Sequence, residues 1–325
     1  MEWVFGQLLA QSRPNDLLFA IDRIARVPIS TIVVFAGVLT LVRLALFPYI
    51  RKTPIHKRTG VYSFARVVND ISDAVLYAAI VVFLLVRPFG IQTFFIPSPS
   101  MVDTLRVGDF IVANKWVYRT SDPKFGDIVV FKPPKEAITP DMGEQDFIKR
   151  CIGVPGDVIE IKDWQLYRNG QPITENYKVI SDRNSMYLSP LPQSEWESNK
   201  DSMPNFKLVE YGEPKSPLYP QKDGKAIIPL MYQSQFGGGI SVNAWEPSYR
   251  VEINDWETAA QLPPVAIPPG YFLMIGDNRN GSKDSRFWGL VPRANIVGKA
   301  EVVWLPIKRA KRLTNPHADA KPSQP

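Results

Sequence analysis

Two serines, Ser98 and Ser100, stand in the stretch "IPSPSM" at residues 96–101, each preceded by a proline. Pro97 and Pro99 fix their own φ angles and push Ile96 and Ser98 into the extended region. In an extended chain, residues two apart face the same way, so the two hydroxyls should project together. A serine nucleophile needs a base. Histidine is the usual one, but the chain has only His56 and His317, and none lies between them. Lysine is the known substitute. A lysine of ordinary pKa, about 10.4, is only about 0.04% neutral at pH 7, whereas at pKa 8 roughly 10% is neutral. The fold must supply that shift by taking the amine out of water, so the candidate should lie on an apolar strand face.

"DFIKRCIGVPGD" at 146–157 meets this requirement. With strand alternation, Lys149 shares a face with Phe147 and Cys151, and Arg150 shares the other with Ile148 and Ile152. Alternation does not separate lysine from arginine. Chemistry does, because a guanidinium does not deprotonate in proteins. A third polar island, "GDNRNGSKDSRFWG" at 276–289, contains the strong turn signal Asn280-Gly281. It is not a calcium loop, since Arg279 stands where the third position, counted from Asp277, needs an oxygen ligand. It reads as a polar loop supplying hydroxyls and charge pairs around a base.

The elements that must position these groups differ along the chain. Residues 27–50 and about 74–95 are apolar and approach the roughly 20 residues of a membrane-spanning helix, with Arg43 and Arg87 near enough to the ends to snorkel. Spans are expected over about 28–48 and 74–93. Between them, Arg51, Lys52, Lys57, Arg58 and Arg66 against Asp70 give residues 51–70 a net +4. That basic loop is expected in the cytoplasm, which puts everything after the second span outside. No cleaved signal is expected, because no charged start leads into an apolar run and a small-residue cleavage site. The net charge of the whole chain is +6, and the stretch from 308 onward holds another +4. The remainder is near neutral or acidic, which excludes a nucleic-acid binder with a basic folded domain. Cys151 is the only cysteine, which excludes an internal disulfide and a zinc site of several thiolates.

From about residue 94 the patterns shorten and alternate. Residues 108–119, 126–134, 146–162, 270–280 and 298–307 are rich in Val, Ile, Phe or Trp and bounded by Gly, Pro or Asp, as strands are. The stretch 164–265, with "FGGGIS" and the alternating "ISVNAWEPSYRVEI", reads as an elaborated insertion within one β domain. The expected organisation is a membrane anchor over 1–93, a mainly β catalytic domain over 94–307, and a basic, solvated polar tail over 308–325.

The islands "IPSPSMVDTLRVGDFIVANK", "GDIVVFK", "FIKRCIGVPGD" and "GDNRNGSKDSRFWG", in this order after two apolar segments, resemble bacterial type I signal peptidase, also called leader peptidase. The resemblance covers about residues 80–305. It implies a membrane-bound serine endopeptidase that removes signal peptides after small residues (Ala-x-Ala type sites). Ser100 would be the nucleophile and Lys149 the general base, while Ser98 and the Ser100 amide would form the oxyanion hole. Ser282 would hydrogen-bond and orient the lysine. Asp277, Asp284 and Arg286 would support the site, and Ile96 and Met101 would help line the substrate pockets. No metal or other cofactor is implied. The partners implied are preproteins and the lipid bilayer, at the outer face of the inner membrane. Three departures stand out: Asp103 where the family has proline, Pro99 where a small or acidic residue is usual, and Asn280-Gly281 where Asp-Asn is usual. A membrane-anchored binding module would lack the serine or the lysine, and a self-cleaving repressor-type protease would carry a DNA-binding helix pair instead of spans.

Overall fold

The computed structural model describes residues 29–55, 58–81, 91–134, 137–138, 145–182, 191–192, 195–196, 205–212, 220–234, 240–241 and 256–318. The chain divides into two compact units, Met1–Phe94 and Phe95–Pro325.

The first unit holds helices α1 (Ile29–Lys52) and α2 (Gly60–Ile80). Over Val33–Lys52 the mean hydropathy is 2.1 and large side chains such as Val34, Leu41 and Leu44 are exposed. Among the described residues α1 is the one helix long and apolar enough to cross a membrane. The helix α2 packs on α1 through buried Tyr62 and Ala65, and Arg43 reaches Asp73 at 2.7 Å. It begins at Gly60, well inside the stretch expected as a basic loop, so only residues 53–59 connect the helices. Val61, Phe64, Ala65 and Val68 recur at helical spacing there, which draws Arg66 and Asp70 into the helix. Of the expected second span, residues 74–80 belong to α2, while 82–90 lie outside the described residues.

Strand β1 (Ile91–Phe95) straddles the boundary of the units. The second unit is mainly β, in two antiparallel sheets. The first is built from β2 (Phe110–Asn114), β3 (Ile128–Phe131), β4 (Phe147–Gly153), β12 (Tyr271–Ile275), β13 (Val291–Pro292), β14 (Ile296–Leu305) and β15 (Lys311–Arg312). Its order is β2-β14-β3-β4-β12-β13, with β15 also on β14. The second contains β5 (Ile159–Lys162), β6 (Gln165–Arg168), β7 (Gln171–Ile173), β8 (Asn205–Glu210), β9 (Gln221–Lys222), β10 (Lys225–Ser234) and β11 (Ile240–Ser241). It runs β11-β10-β8-β5-β6-β7, with β9 on β10.

Strand β4 lies between β3 and β12, with Lys149 opposite Val129 and Arg150 opposite Ile128 and Ile275. Both of its faces are buried, so alternation sorts its residues between two cores rather than between core and water. Cys151 packs with Phe131, Met274 and Trp288 on the Lys149 side. Ile152 packs with Leu273 and Ile275 on the Arg150 side, in a core that also takes Leu166, Phe206 and Ile227 from the second sheet. The stretch expected as an insertion thus forms most of a sheet that shares its core with the first. Residues 242–255, including most of "ISVNAWEPSYRVEI", lie outside the described residues.

Two further expectations change. The strand read over 108–119 stops at Asn114, whose Oδ1 accepts the amides of Trp116 at 2.9 Å and Val117 at 3.3 Å. These bonds turn the chain into a short helix, α3 (Val117–Thr120). The stretch from 308 is not a solvated tail over 308–318. Leu313 is buried, Asn315 donates to the Phe125 carbonyl and Asp127, and His317 meets the rings of Phe125 and Tyr177.

Phe206→Ala should lower the unfolding free energy in detergent by about 3–5 kcal/mol, because it opens the core common to both sheets. One cooperative transition is expected; two separate ones, with only one shifted, would show that the sheets fold independently.

Candidate active site

The serine turn begins where Ile96 exchanges backbone hydrogen bonds with the loop before β2: its amide donates to Asp109 at 2.9 Å and its carbonyl accepts from Gly108 at 3.0 Å. Ser98 is extended, with φ −128° and ψ 153°. Ser100, in contrast, lies in a single 3-10 turn, Pro99–Met101, which Pro99 opens with its fixed φ. The two hydroxyls face one another as expected, with Oγ atoms 3.2 Å apart, but a turn brings them together rather than an extended strand. Ser100 is only 8% exposed, and Ile96 and Met101 beside it are buried.

Lys149 reaches this turn from β4. Its Nζ lies 2.8 Å from Ser100 Oγ and donates to the Ile148 carbonyl at 3.0 Å. Nζ also sits 5.6 Å from the centre of the Phe147 ring, which packs on Phe131 and Trp288. Burial lowers its pKa to about 8, against the pull of the Asp284 and Asp277 charges, which favour the protonated amine. Desolvation outweighs these carboxylates because each is engaged by its own guanidinium.

Asp277 accepts from Arg150 Nε at 2.8 Å and Nη2 at 2.6 Å, and from the Thr104 hydroxyl at 2.5 Å. Asp284 caps α4 (Ser285–Trp288) and accepts from Arg286 Nε at 2.8 Å, Arg286 Nη2 at 2.9 Å and the Gly276 amide at 2.9 Å. Burial alone would raise the Asp284 pKa; the Arg286 guanidinium and these hydrogen bonds hold it below the usual range. A third buried pair joins Arg279 to Glu175, with Nη1 to Oε2 at 3.1 Å. Between them, Asn278 holds the serine turn: its amide donates to the Ser100 carbonyl and its Nδ2 to the Pro99 carbonyl, both at 3.2 Å. A Cβ on Gly276 would come within 2.5 Å of that same Ser100 carbonyl and 2.3 Å of Ser282 Oγ, so only glycine fits there.

The expected bond from Ser282 to the lysine is not formed. Its buried hydroxyl has no hydrogen-bond partner among the described residues, and lies near enough to Asp284 only to help keep that carboxyl ionised. The Ile148 carbonyl holds the amine instead. Sequence reasoning missed Arg150 as the partner of Asp277, Glu175 as the partner of Arg279, and Asn278 as the residue that ties down the turn. Arg150 carried a signal: a charged residue on a strand with two apolar faces requires a buried carboxylate. Glu175 carried none, since nothing local links it to residue 279.

Comparison of the whole chain with known proteins gives its family. The family model described as signal peptidase, peptidase S26, matches residues 68–305. The chain belongs to this family. It is similar to signal peptidase I of Aquifex aeolicus, 34% identical over 70% of this chain and 81% of that one. It is also similar to signal peptidase I of Pseudomonas aeruginosa, 30% identical over 84% and 89% of the two chains. A solved structure, signal peptidase I from Enterococcus faecalis, matches 55% of this chain and 97% of that chain at 23% identity and a TM-score of 0.27. Membership makes the protein a peptidase of the hydrolase class, as its serine and lysine islands imply. Two departures from the family pattern gain partners here. Asp103 accepts from Arg106 Nε at 2.8 Å and Nη2 at 2.7 Å, closing the turn after Ser100. Gly281 leaves room for Asn278, whose Nδ2 would lie 2.4 Å from a Cβ at that position.

Asp277→Ala leaves Arg150 buried without its carboxylate and should cost about 3–5 kcal/mol, read by denaturant unfolding. The double variant with Arg150→Met should regain most of that loss. A single-variant loss under about 1 kcal/mol, the scale of an exposed pair, would contradict a structural role.

Proposed function

We propose that the protein is a membrane-bound signal peptidase working by a serine–lysine dyad, with Ser100 as nucleophile and Lys149 as general base. The observation that carries this reading is the 2.8 Å approach of a desolvated Lys149 Nζ to Ser100 Oγ. At pH 7 an amine with pKa about 8 is neutral in roughly one molecule in ten, enough to accept the hydroxyl proton as Oγ attacks the scissile carbonyl. The oxyanion is received by the Ser98 hydroxyl and the Ser100 amide. The protonated lysine then gives its proton to the leaving amine, and an ester links the new C-terminal acyl group to Ser100. Lys149, neutral again, takes a proton from water, which attacks the ester and frees Ser100. Ser282 lines the amine's surroundings beside Asp284, and Asp277, Asp284 and Arg286 hold the loop under it. Ile96 and Met101 shape the narrow surface that admits small residues before the cleaved bond, as in an Ala-x-Ala site.

The membrane arrangement follows from the apolar anchor. In this reading helix α1 spans the bilayer, the apolar stretch expected from about residue 74 supplies the second crossing, and the basic residues between them face the cytoplasm. A preprotein held in the same bilayer by its own apolar signal segment then meets the serine turn at the outer surface. Confinement of both to one surface raises their effective concentration.

Cleavage of a preprotein with an Ala-x-Ala site tests the dyad, using purified wild type, Ser100→Ala and Lys149→Met in detergent. Only the wild type should cut, releasing a product whose new N-terminus follows the last Ala. Equal results for wild type and Ser100→Ala would end the dyad reading. Since the base acts when neutral, kcat/KM should rise with pH and level off above about 8. Phe147→Ala admits water to Nζ and should carry that midpoint upward, toward the ordinary lysine value of about 10.4. Ser98→Ala should lower kcat with KM little changed; a change in KM alone would remove Ser98 from the oxyanion role.

A further inference from the structure

Residues 175–181, which follow β7 of the second sheet, run beside the loop that carries Asp277 and Asn278. The Val179 amide donates to the Asp277 carbonyl at 2.9 Å, and the Arg279 amide donates to the Val179 carbonyl at 3.0 Å. Val179 and Asn278 form a parallel bridge. At one end the Arg279–Glu175 pair closes the contact, with both side chains almost wholly buried. At the other end Asn280 bonds in both directions to one residue. Its Oδ1 accepts the Ser181 amide at 2.8 Å, and its Nδ2 donates to the Ser181 carbonyl at 2.7 Å. Ser181 is itself fully buried.

The side chains of the loop therefore divide their work. Asp277 and Asn278 face the catalytic turn, through Thr104, Arg150, Pro99 and Ser100. Arg279 and Asn280 face the segment 175–181. An aspartate at position 280, usual in the resemblance noted above, could accept the Ser181 amide but would set a carboxylate against the Ser181 carbonyl. Only an amide satisfies both backbone groups at once. Gly281 completes the exchange by clearing space for the Asn278 amide. The two departures at 280 and 281 are a matched pair.

We propose that Asn280 is a positioning residue for the peptidase reaction: by pinning the loop to Ser181 it sets Asn278, and through Asn278 the Ser100 turn, at the distance Lys149 requires. The segment 175–181 acts as the rigid rail against which the loop is set. This inference rests on the dyad reading, in that its effect is read as cleavage by Ser100. Displacement of a reacting atom by a fraction of an ångström lowers the rate while leaving substrate contacts intact.

The experiment compares wild type, Asn280→Asp, Asn280→Ala and Glu175→Gln on one preprotein in detergent, with Ser100→Ala as the inactive control. Rates are taken well below each variant's unfolding midpoint and normalised to folded protein. Both Asn280 variants should lose about tenfold in kcat with KM within about twofold, and Glu175→Gln should do the same in lesser degree. The stability gap between wild type and Asn280→Asp should close below about pH 4, where a protonated carboxyl can again donate to Ser181 while accepting from it. A wild-type kcat in both Asn280 variants overturns the proposal, as does a loss confined to KM or to thermal stability. If Asn280→Asp does not fold at neutral pH, Asn280→Ala and the acid-side stability comparison still decide. Absence of cleavage by the wild type itself would instead sink the dyad reading.

Discussion

Lys149 Nζ stands 2.8 Å from Ser100 Oγ, and in the proposed dyad this contact is useful only while water is kept from the amine. An ammonium in water is far too stable to serve as a base at neutral pH. The Phe147 ring, backed by Phe131 and Trp288, lies on one side of it, and the rest of β4 around it is buried. The field of nearby carboxylates works in the opposite direction, since a negative charge favours the protonated amine. The rest of the site can be read as the means by which carboxylates are present for structure yet weak in their effect on the lysine.

Pairing accomplishes this. Asp277 is locked to Arg150 and Asp284 to Arg286, so each presents the lysine with a nearly compensated charge. Buried pairs of this kind contribute little net stability, because desolvation of both ions opposes their attraction. What they provide is geometry: a guanidinium with two bonds to one carboxylate leaves that carboxylate few orientations. Arg150 also donates to the Gly126 carbonyl at 2.8 Å, and Arg286 to the Arg279 carbonyl at 2.7 Å. The pairs thus fix backbone on both sides of the loop. The price of this arrangement is that loss of one member strands a charge in the core.

The second sheet enters the same scheme. Its core is continuous with the Arg150 side of the first sheet through Ile152, Ile275 and Phe206. The segment 175–181 then brings its backbone alongside residues 277–280. A stretch without a recognisable motif becomes part of the support of the serine turn, because backbone pairing asks for no particular side chain. The stretch from 308 to 318 is drawn in similarly: Arg309 pairs with Asp109, Leu313 is buried, and His317 packs on Tyr177, the ring that covers Arg150.

The sequence by itself determined the family and the mainly β class of fold, and it singled out the groups of the proposed dyad. The lack of histidine between 56 and 317 left lysine as the candidate base, the apolar strand around Lys149 promised desolvation, and alternation beyond residue 94 indicated strands. These features are local, and local patterns survive any arrangement of the rest. Only the tertiary structure decided who pairs with whom. Arg150 meets Asp277 across 127 residues and Arg279 meets Glu175 across 104, distances over which spacing carries no information. It also decided that the two serines meet through a 3-10 turn, that Ser282 leaves the lysine to the Ile148 carbonyl, and that Asn280 serves Ser181. Each of these depends on which backbone groups the packed sheets leave unpaired, and that is settled only when the sheets close on one another.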